Sequence, residues 1–410
     1  MKRTLSNWIE AYLEFTENTE SAKQFHLWCA ISTIASVLRR KTWLSLGRLT
    51  YFPNIYIVLV AQPGIARKTQ AIKFALEILK QVPGITISAD SITKEALIDD
   101  LEISRNESVI PGTDGPFFHC SLSVISKEFE SFLGQKKENT KMLVLLTDLY
   151  DCPDSFEKKT KHSGVNILEN VFFNLQAATT PDSLASSLPS TAIGGGLTSR
   201  ILFIWADAPY KKEAIPELTE RERSIRKQLI SDLFEISQIS GEYKLPLKVR
   251  SNWIEWYNQY EMLSPKRICQ EPIFNSWYSR KPDTILKTSI NIAAAKRQDL
   301  IIEWEDITTA IKYIEVAEKG MSNSFRAVGK SLIASEVDTV LSLIQVRGAI
   351  EEKQIMALTW KDMDSDKFDN VIETAIRTGK VKRDYRNPDG RIGGIWYYWA
   401  TGMKPRNVNN

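Results

Sequence analysis

The sequence predicts an α/β protein: a mostly parallel sheet with helices between its strands, then a helical region and a small C-terminal helix-and-hairpin module. Three observations predict it. Apolar runs such as "NIYIVLVA" alternate with stretches of helical periodicity up to "RILFIWA". A basic, glycine-bearing loop, "AQPGIARKTQ", joins the first of these runs to a helix, the order that a phosphate site needs. From about Ala214 the strand signal fades, and the chain ends in a helix–helix–helix–hairpin order.

The elements follow in chain order. Residues from about Thr4 to Val37 read as helical, with Trp8, Ile9, Tyr12, Leu13 and Phe15 giving an apolar face. "KTWLSLG" and "NIYIVLVA" read as strands, the second fully buried, and "TQAIKFALEILKQV" as the helix after the loop. "GITISAD" is a short strand, and "SITKEALIDDLE" a helix with Ser91 as its expected cap. "GPFFHCSLSVIS", "ENVFFNLQAAT" and "RILFIWA" supply three more strands, the first followed by the helix "KEFESFLGQ". Four helical stretches between "ERERSIRKQLISDLFEIS" and "WEDITTAIKYIEVAEKGMSN" then run to about Arg326. The expected division is 1–50 (N-terminal helices), 51–210 (sheet core), 211–329 (helical lid), 330–402 (C-terminal module) and 403–410 (tail).

Composition bounds the function. The chain has 410 residues, 43% hydrophobic and 25% charged, enough for two or three cores. Lys and Arg number 53 against 50 Asp and Glu, so any nucleic-acid surface must be local. The four cysteines and three histidines are scattered, which predicts reduced thiols and argues against a disulfide framework or a Cys/His metal site. "MKRTLSNWIEAYLEFTENTE" is too polar for a signal peptide, and no apolar run approaches the roughly 20 residues of a membrane span. The expectation is a cytoplasmic protein with no membrane partner.

In the loop, Lys68 and Thr69 stand where a phosphate-binding lysine and a Mg²⁺-binding hydroxyl are needed, at a helix start. Gly64 supplies flexibility. The pattern G-x-x-x-x-G-K-[ST] fails at both glycines: Gln62 holds the first position and Arg67 the second. A side chain at Arg67 opposes a left-handed backbone but adds a cation near phosphate. A basic helix start without a ligand is the alternative. The run "LSVISKEFESF" places Glu128 after an apolar strand, where an acid can orient water. Lys127 precedes it where an aspartate is usual, and Glu128 could equally be a helix cap. Asp148 and Asp151 are the nearby acids that could compensate, or simply a turn or cap.

Together "YFPNIYIVLVAQPGIARKTQAI", "LSVISKEFESFL", "TTPDSL" and "GGGLTSRILFIWAD" resemble the phage and plasmid primase/helicase-associated ATPases, from roughly Trp8 to Ala317. In that family the second glycine is often replaced, giving an R-K-[ST] ending. More distantly the stretch is similar to the minichromosome-maintenance helicases of the AAA+ class. The resemblance implies a P-loop AAA+ core with a helical lid. It also implies a γ-phosphate sensor at Thr180, an arginine finger at Arg200, and a basic lid sensor at Lys287 with Arg280 as the earlier candidate. Arg200 follows Gly194, Gly195 and Gly196, a turn suited to an interface; a structural ion pair is its other reading.

The C-terminal order is that of a winged helix-turn-helix. Lys380, Lys382, Arg383, Arg386 and Arg391 lie on or near the hairpin, and Lys367 and Arg377 on the preceding helix, as candidate phosphate contacts to DNA. The aromatics of "IWYYWA" read mostly as core. The function implied is an ATP- and Mg²⁺-dependent DNA helicase or translocase of phage or plasmid replication, acting as a ring of identical chains, a hexamer by analogy, in a bacterial host's cytoplasm. No primase site is evident, so priming would need another chain. The departures at Gln62, Arg67 and Lys127 leave open a non-hydrolysing DNA-binding initiator or adaptor, or an ATP-switched loader.

Overall fold

Tyr56–Val60 is buried along its whole length, so its backbone groups can be satisfied only between two other strands. Val171–Thr179 and Ile201–Trp205 flank it, both parallel, with Tyr56 opposite Leu175 and Ile201 and Val60 opposite Thr179 and Trp205. Phe117–Ser126 pairs in parallel with the far side of Val171–Thr179. Its own outer edge carries Thr86–Ser88 in parallel and Arg105–Ser108 antiparallel. Numbered along the chain, the five parallel strands stand in the order 5-1-4-3-2. The first strand therefore lies inside the sheet, and the loop after it opens between two neighbours at their carboxyl ends.

The computed structural model describes residues 3–134, 136–160, 164–188, 195–262, 267–325, 334–359, 363 and 365–400. Gly194, the expected lid end at Arg326, the tail at 403–410 and the side chain of Lys367 lie outside the described residues. The chain divides into two compact units, residues 1–328 and 329–410. The expected N-terminal, sheet and lid segments share one hydrophobic core running from Trp8 to Phe325. Among the described residues no helix is long and apolar enough to cross a membrane.

The expected N-terminal helix is two helices, Trp8–Phe15 and Lys23–Leu38. Asn7 caps the first, and the Thr16 hydroxyl turns back to Tyr12 O at its end. The second is buried almost all round, with Ser32 and Ser36 accepting from Asn174 Nδ2 of the sheet. Helix Lys68–Leu79 buries Ala71, Ile72, Ala75, Ile78 and Leu79 at helical spacing. The next helix, Lys94–Ile103, is capped by Thr93, whose Oγ1 accepts from Ala96 N at 3.2 Å; Ser91, the expected cap, donates to Ser131 O instead. Helix Lys136–Tyr150 and the hairpin Ser155–Thr160/Gly164–Glu169 had no clear sequence signal. The helical region supplies Glu220–Ser237, Leu247–Met262, Asn275–Lys296 and Trp304–Ser324.

The second unit comprises helices Ala334–Arg347, Glu352–Thr359 and Ser365–Arg377 and an antiparallel sheet. Ile392–Trp399 is its central strand, between Ala349–Glu351 and Val381–Arg386. The strand Ala349–Glu351 is an addition to the expected hairpin. Gly379, at φ 74°, ends the last helix as its position predicts.

Two buried histidines make the larger unit acid-sensitive. Burial pushes His26 down to about 4, and burial together with Arg39, Lys41 and Arg40 pushes His119 down to about 3. Each is neutral when folded, so its stabilising contribution is complete above about pH 6.5 and is lost as pH falls toward the folded values. Thermal melts are expected to fall between pH 6.5 and 4, by up to about 1.4 kcal/mol per pH unit for each histidine. His26→Asn with His119→Asn should flatten that slope; an unchanged slope would refute the assignment.

Candidate functional site

The loop between the buried strand and helix Lys68–Leu79 has a left-handed residue on each side of its tip. Gly64 has φ 74°, and Arg67 has φ 50° and ψ 40°. Arg67 therefore keeps the backbone shape that glycine would adopt at the second position, at a cost of roughly 1–2 kcal/mol. Its half-exposed guanidinium turns to Glu20, where Nε meets Oε2 at 2.7 Å. Ser21 Oγ donates to Arg67 O at 3.0 Å, so the N-terminal segment braces the same turn.

Lys68 heads the helix and folds back over the loop. Its Nζ donates to Ala61 O at 2.7 Å. Burial lowers its pKa, and the carboxylate of Glu128 raises it in part. Glu128 holds the N-cap position of helix Phe129–Leu133, but its side chain makes no capping bond. Thr69, the second helical residue, is exposed. Thr180 follows the strand that ends level with Val60, and its Oγ1 accepts from Ser183 N at 3.1 Å as the cap of helix Pro181–Ser187. The structure thus gathers Gly64, Arg67, Lys68, Thr69, Glu128 and Thr180 at the carboxyl ends of the sheet.

Lys127 occupies the place of the usual aspartate and pairs with Asp90 at 3.5 Å. Ser126 Oγ donates to the backbone carbonyl of Asp90, just beyond strand Thr86–Ser88, so Asp90 is a second acid at this corner beside Glu128. Sequence reasoning missed it, because only the pairing of Ser88 with Val124 brings the two strand ends together. Asp151, offered as a compensating acid, belongs elsewhere. It follows helix Lys136–Tyr150 and bonds Arg200 Nη2 at 2.8 Å. Asp148 lies within that helix.

Arg200, Arg280 and Lys287 meet at the opposite end of the sheet. Arg200 precedes Ile201, which pairs with Tyr56, whereas the loop follows Val60. At about 3.3 Å per residue, the length of the buried strand separates the cation from the loop of its own chain. Arg200 is 8% exposed and donates to Gly196 O as well as Asp151, whose other carboxylate oxygen lies 3.9 Å from Arg280 Nη1. Lys287 is fully enclosed, bonding Asn54 Oδ1 at 2.8 Å and lying 3.9 Å from the centre of the Tyr150 ring. Burial pushes it down to about 8, against the pull of Cys152, Asp151 and Asp283. Lys287, the basic lid sensor that the resemblance implies, thus stands on a helix that crosses the amino end of the strand, away from the loop of its own chain.

A cavity of about 730 Å³ is lined by Leu13, Leu27, Trp205, Tyr210 and Tyr313 together with the charged Lys23, Asp207 and Lys312; it reaches the loop only through Ser21, which bonds Arg67 O. In the second unit the candidate DNA contacts Lys380, Lys382, Arg383, Arg386 and Arg391 are exposed. Lys382 stands opposite Tyr398 and Arg383 opposite Tyr397, so these two point to different faces. Arg377 is exposed and pairs with Glu373 at 3.4 Å. No protein-family model matches the chain, and no curated protein matches it.

The left-handed turn at Arg67 yields a stability prediction. Arg67→Val should cost about 1–2 kcal/mol in chemical denaturation, because β-branching penalises this backbone further. Arg67→Gly should stay within about 1 kcal/mol of wild type, relief of strain offsetting the greater freedom of the unfolded chain. Equal costs for the two would show that the turn is not left-handed.

Proposed function

We propose that the chain is an ATP-dependent DNA motor, a P-loop ATPase of the AAA+ kind working as a ring of identical subunits. One observation carries the reading: the loop keeps its left-handed turn at Arg67 while Lys68, Glu128 and Thr180 converge on its mouth. Loop amides at a helix N-terminus and a half-buried lysine suit a triphosphate. The cavity that shares Ser21 with the loop is large enough to admit a nucleotide's base, on a wall that is mostly apolar with a few charged groups. The loop's position inside the sheet, at the carboxyl ends of the strands, agrees with where open α/β sheets bind ligands.

Each residue then has a task. Lys68 exchanges its bond to Ala61 O for a phosphate oxygen, which restores a partner to its desolvated charge. Thr69 is the residue that would hold Mg²⁺, and the ion would neutralise charge on the phosphates. Glu128, with no capping bond to keep it, orients the attacking water and accepts its proton. Thr180 accepts from Ser183 N, which leaves its hydroxyl proton to donate to phosphate.

Distance supports the ring reading: Arg200 lies a strand's length from its own loop, so a phosphate it attends would belong to a neighbour, while Lys287, enclosed behind it, would act only through the packing around Tyr150. Asp151 holds Arg200 until such an anion displaces it. The C-terminal unit, read as a winged helix, would contact the DNA backbone through its hairpin cations. A second reading, a DNA-binding adaptor that does not hydrolyse ATP, is favoured by the Lys127–Asp90 pair where a metal-holding acid is usual.

Two experiments separate these readings. DNA-stimulated ATP hydrolysis should fall at least about a hundredfold in Lys68→Ala and in Glu128→Gln. Glu128→Gln should still bind ATP, and wild-type binding without turnover would replace the motor with the adaptor. Lys68→Ala and Arg200→Ala, each inactive alone, should recover part of the activity when mixed, since some interfaces then pair an intact loop with an intact arginine. No recovery would remove Arg200 from a neighbour's site.

A further inference from the structure

The C-terminal sheet has two faces of different character. Tyr397 is wholly buried and packs in the second core with Ile350, Val381 and Val371. Side chains alternate along a strand, so Trp396 and Tyr398 project from the other face, and neither belongs to that core. Across the sheet, Tyr398 stands opposite Ala349 and Lys382, and Trp396 opposite Glu351 and Asp384. Two partly exposed aromatic rings thus share the centre of an outward sheet surface.

Both rings are held along that surface by bonds at their polar tips. Tyr398 Oη donates to Arg386 O at 2.6 Å, and Trp396 Nε1 donates to Gly393 O at 3.1 Å. With those groups satisfied inside the hairpin, what remains is π-surface, already ordered. Lys382 shares this face with Tyr398, and the exposed Lys380, Arg386 and Arg391 lie along the same hairpin, whereas Arg383 stands on the other face over the Tyr397 ring. Glu351 and Asp384 sit beside Trp396, so the negative charge of this face gathers at that ring and its cation, Lys382, lies beside Tyr398.

From this arrangement we propose that the outer face of the sheet Ala349–Glu351/Val381–Arg386/Ile392–Trp399 is a stacking platform for single-stranded nucleic acid. Successive unpaired bases lie on Trp396 and Tyr398, and the backbone follows Lys382 and Arg386. Stacked aromatics beside a basic track bind unpaired bases whatever their sequence, whereas duplex bases keep their faces covered. The platform rests on the reading that the C-terminal unit contacts nucleic acid, and it names which form is held and where. The strand held is single-stranded DNA, the polymer of the proposed motor; RNA presents the same π-faces, and a preference for it would overturn that occupant.

The test uses the full chain and the anisotropy of labelled oligothymidine, oligouridine and a duplex. Trp396→Ala with Tyr398→Ala should weaken oligothymidine binding at least about tenfold and leave duplex binding within about twofold. Trp396→Phe with Tyr398→Phe should restore most of the loss, and an unchanged melting temperature keeps the comparison interpretable. Lys382→Ala with Arg386→Ala should instead lower the salt dependence on every ligand. Equal weakening on single strand and duplex, or none on either, overturns the platform while leaving DNA contact by the unit intact. A wild-type chain that binds none of the three ligands overturns both, and loop-dependent ATP hydrolysis measured without nucleic acid tests the ATPase reading apart from either. Tighter binding of oligouridine than oligothymidine would overturn DNA as the strand held.

Discussion

Because Tyr56–Val60 is buried at every residue, its backbone must pair on both sides, and this confinement sets the rest of the larger unit. Its neighbours are held in register, so Thr179 finishes level with Val60, and Arg200 starts level with the residue before Tyr56. The loop must leave at one end and the arginine must enter at the other. The strand acts as a spacer that keeps two sets of cations apart, one around Lys68 and one around Arg200 and Lys287.

The two ends treat charge differently. At the loop, Lys68 is half-buried against carbonyl oxygens and near Glu128, so its charge can be transferred to an incoming anion with little rearrangement. At the other end Lys287 is enclosed, with a depressed pKa, and Arg200 is tied to Asp151. Cations kept this far from water are costly unless something answers them, and here Asn54, the Tyr150 ring and Asp151 do so within the chain. An outside anion would therefore have to compete with Asp151 for Arg200.

In the smaller unit the same alternation that builds the core determines what faces outward. Tyr397 and Trp399 point inward with Ile350 and Val381, and the residues between them are released to the opposite surface. An aromatic run that reads as core by composition is divided in two by the pleat, and only one half packs.

The sequence by itself determined the strand–loop–helix at Lys68, the parallel α/β class, the helical region and the C-terminal hairpin, because each is written in local periodicity or turn chemistry. It also placed Glu128 and Thr180 at strand ends, since apolar runs stop there. Only the tertiary structure decided which strand ends adjoin. Asp90 joined Lys127, Asp151 moved to Arg200, and Lys287 went to the amino end, because strand order depends on crossovers between distant segments that no local pattern encodes. The backbone at Arg67 belongs to the same class: its residue type argues against a left-handed turn, and the brace comes from Ser21 and Glu20, 46 and 47 residues upstream.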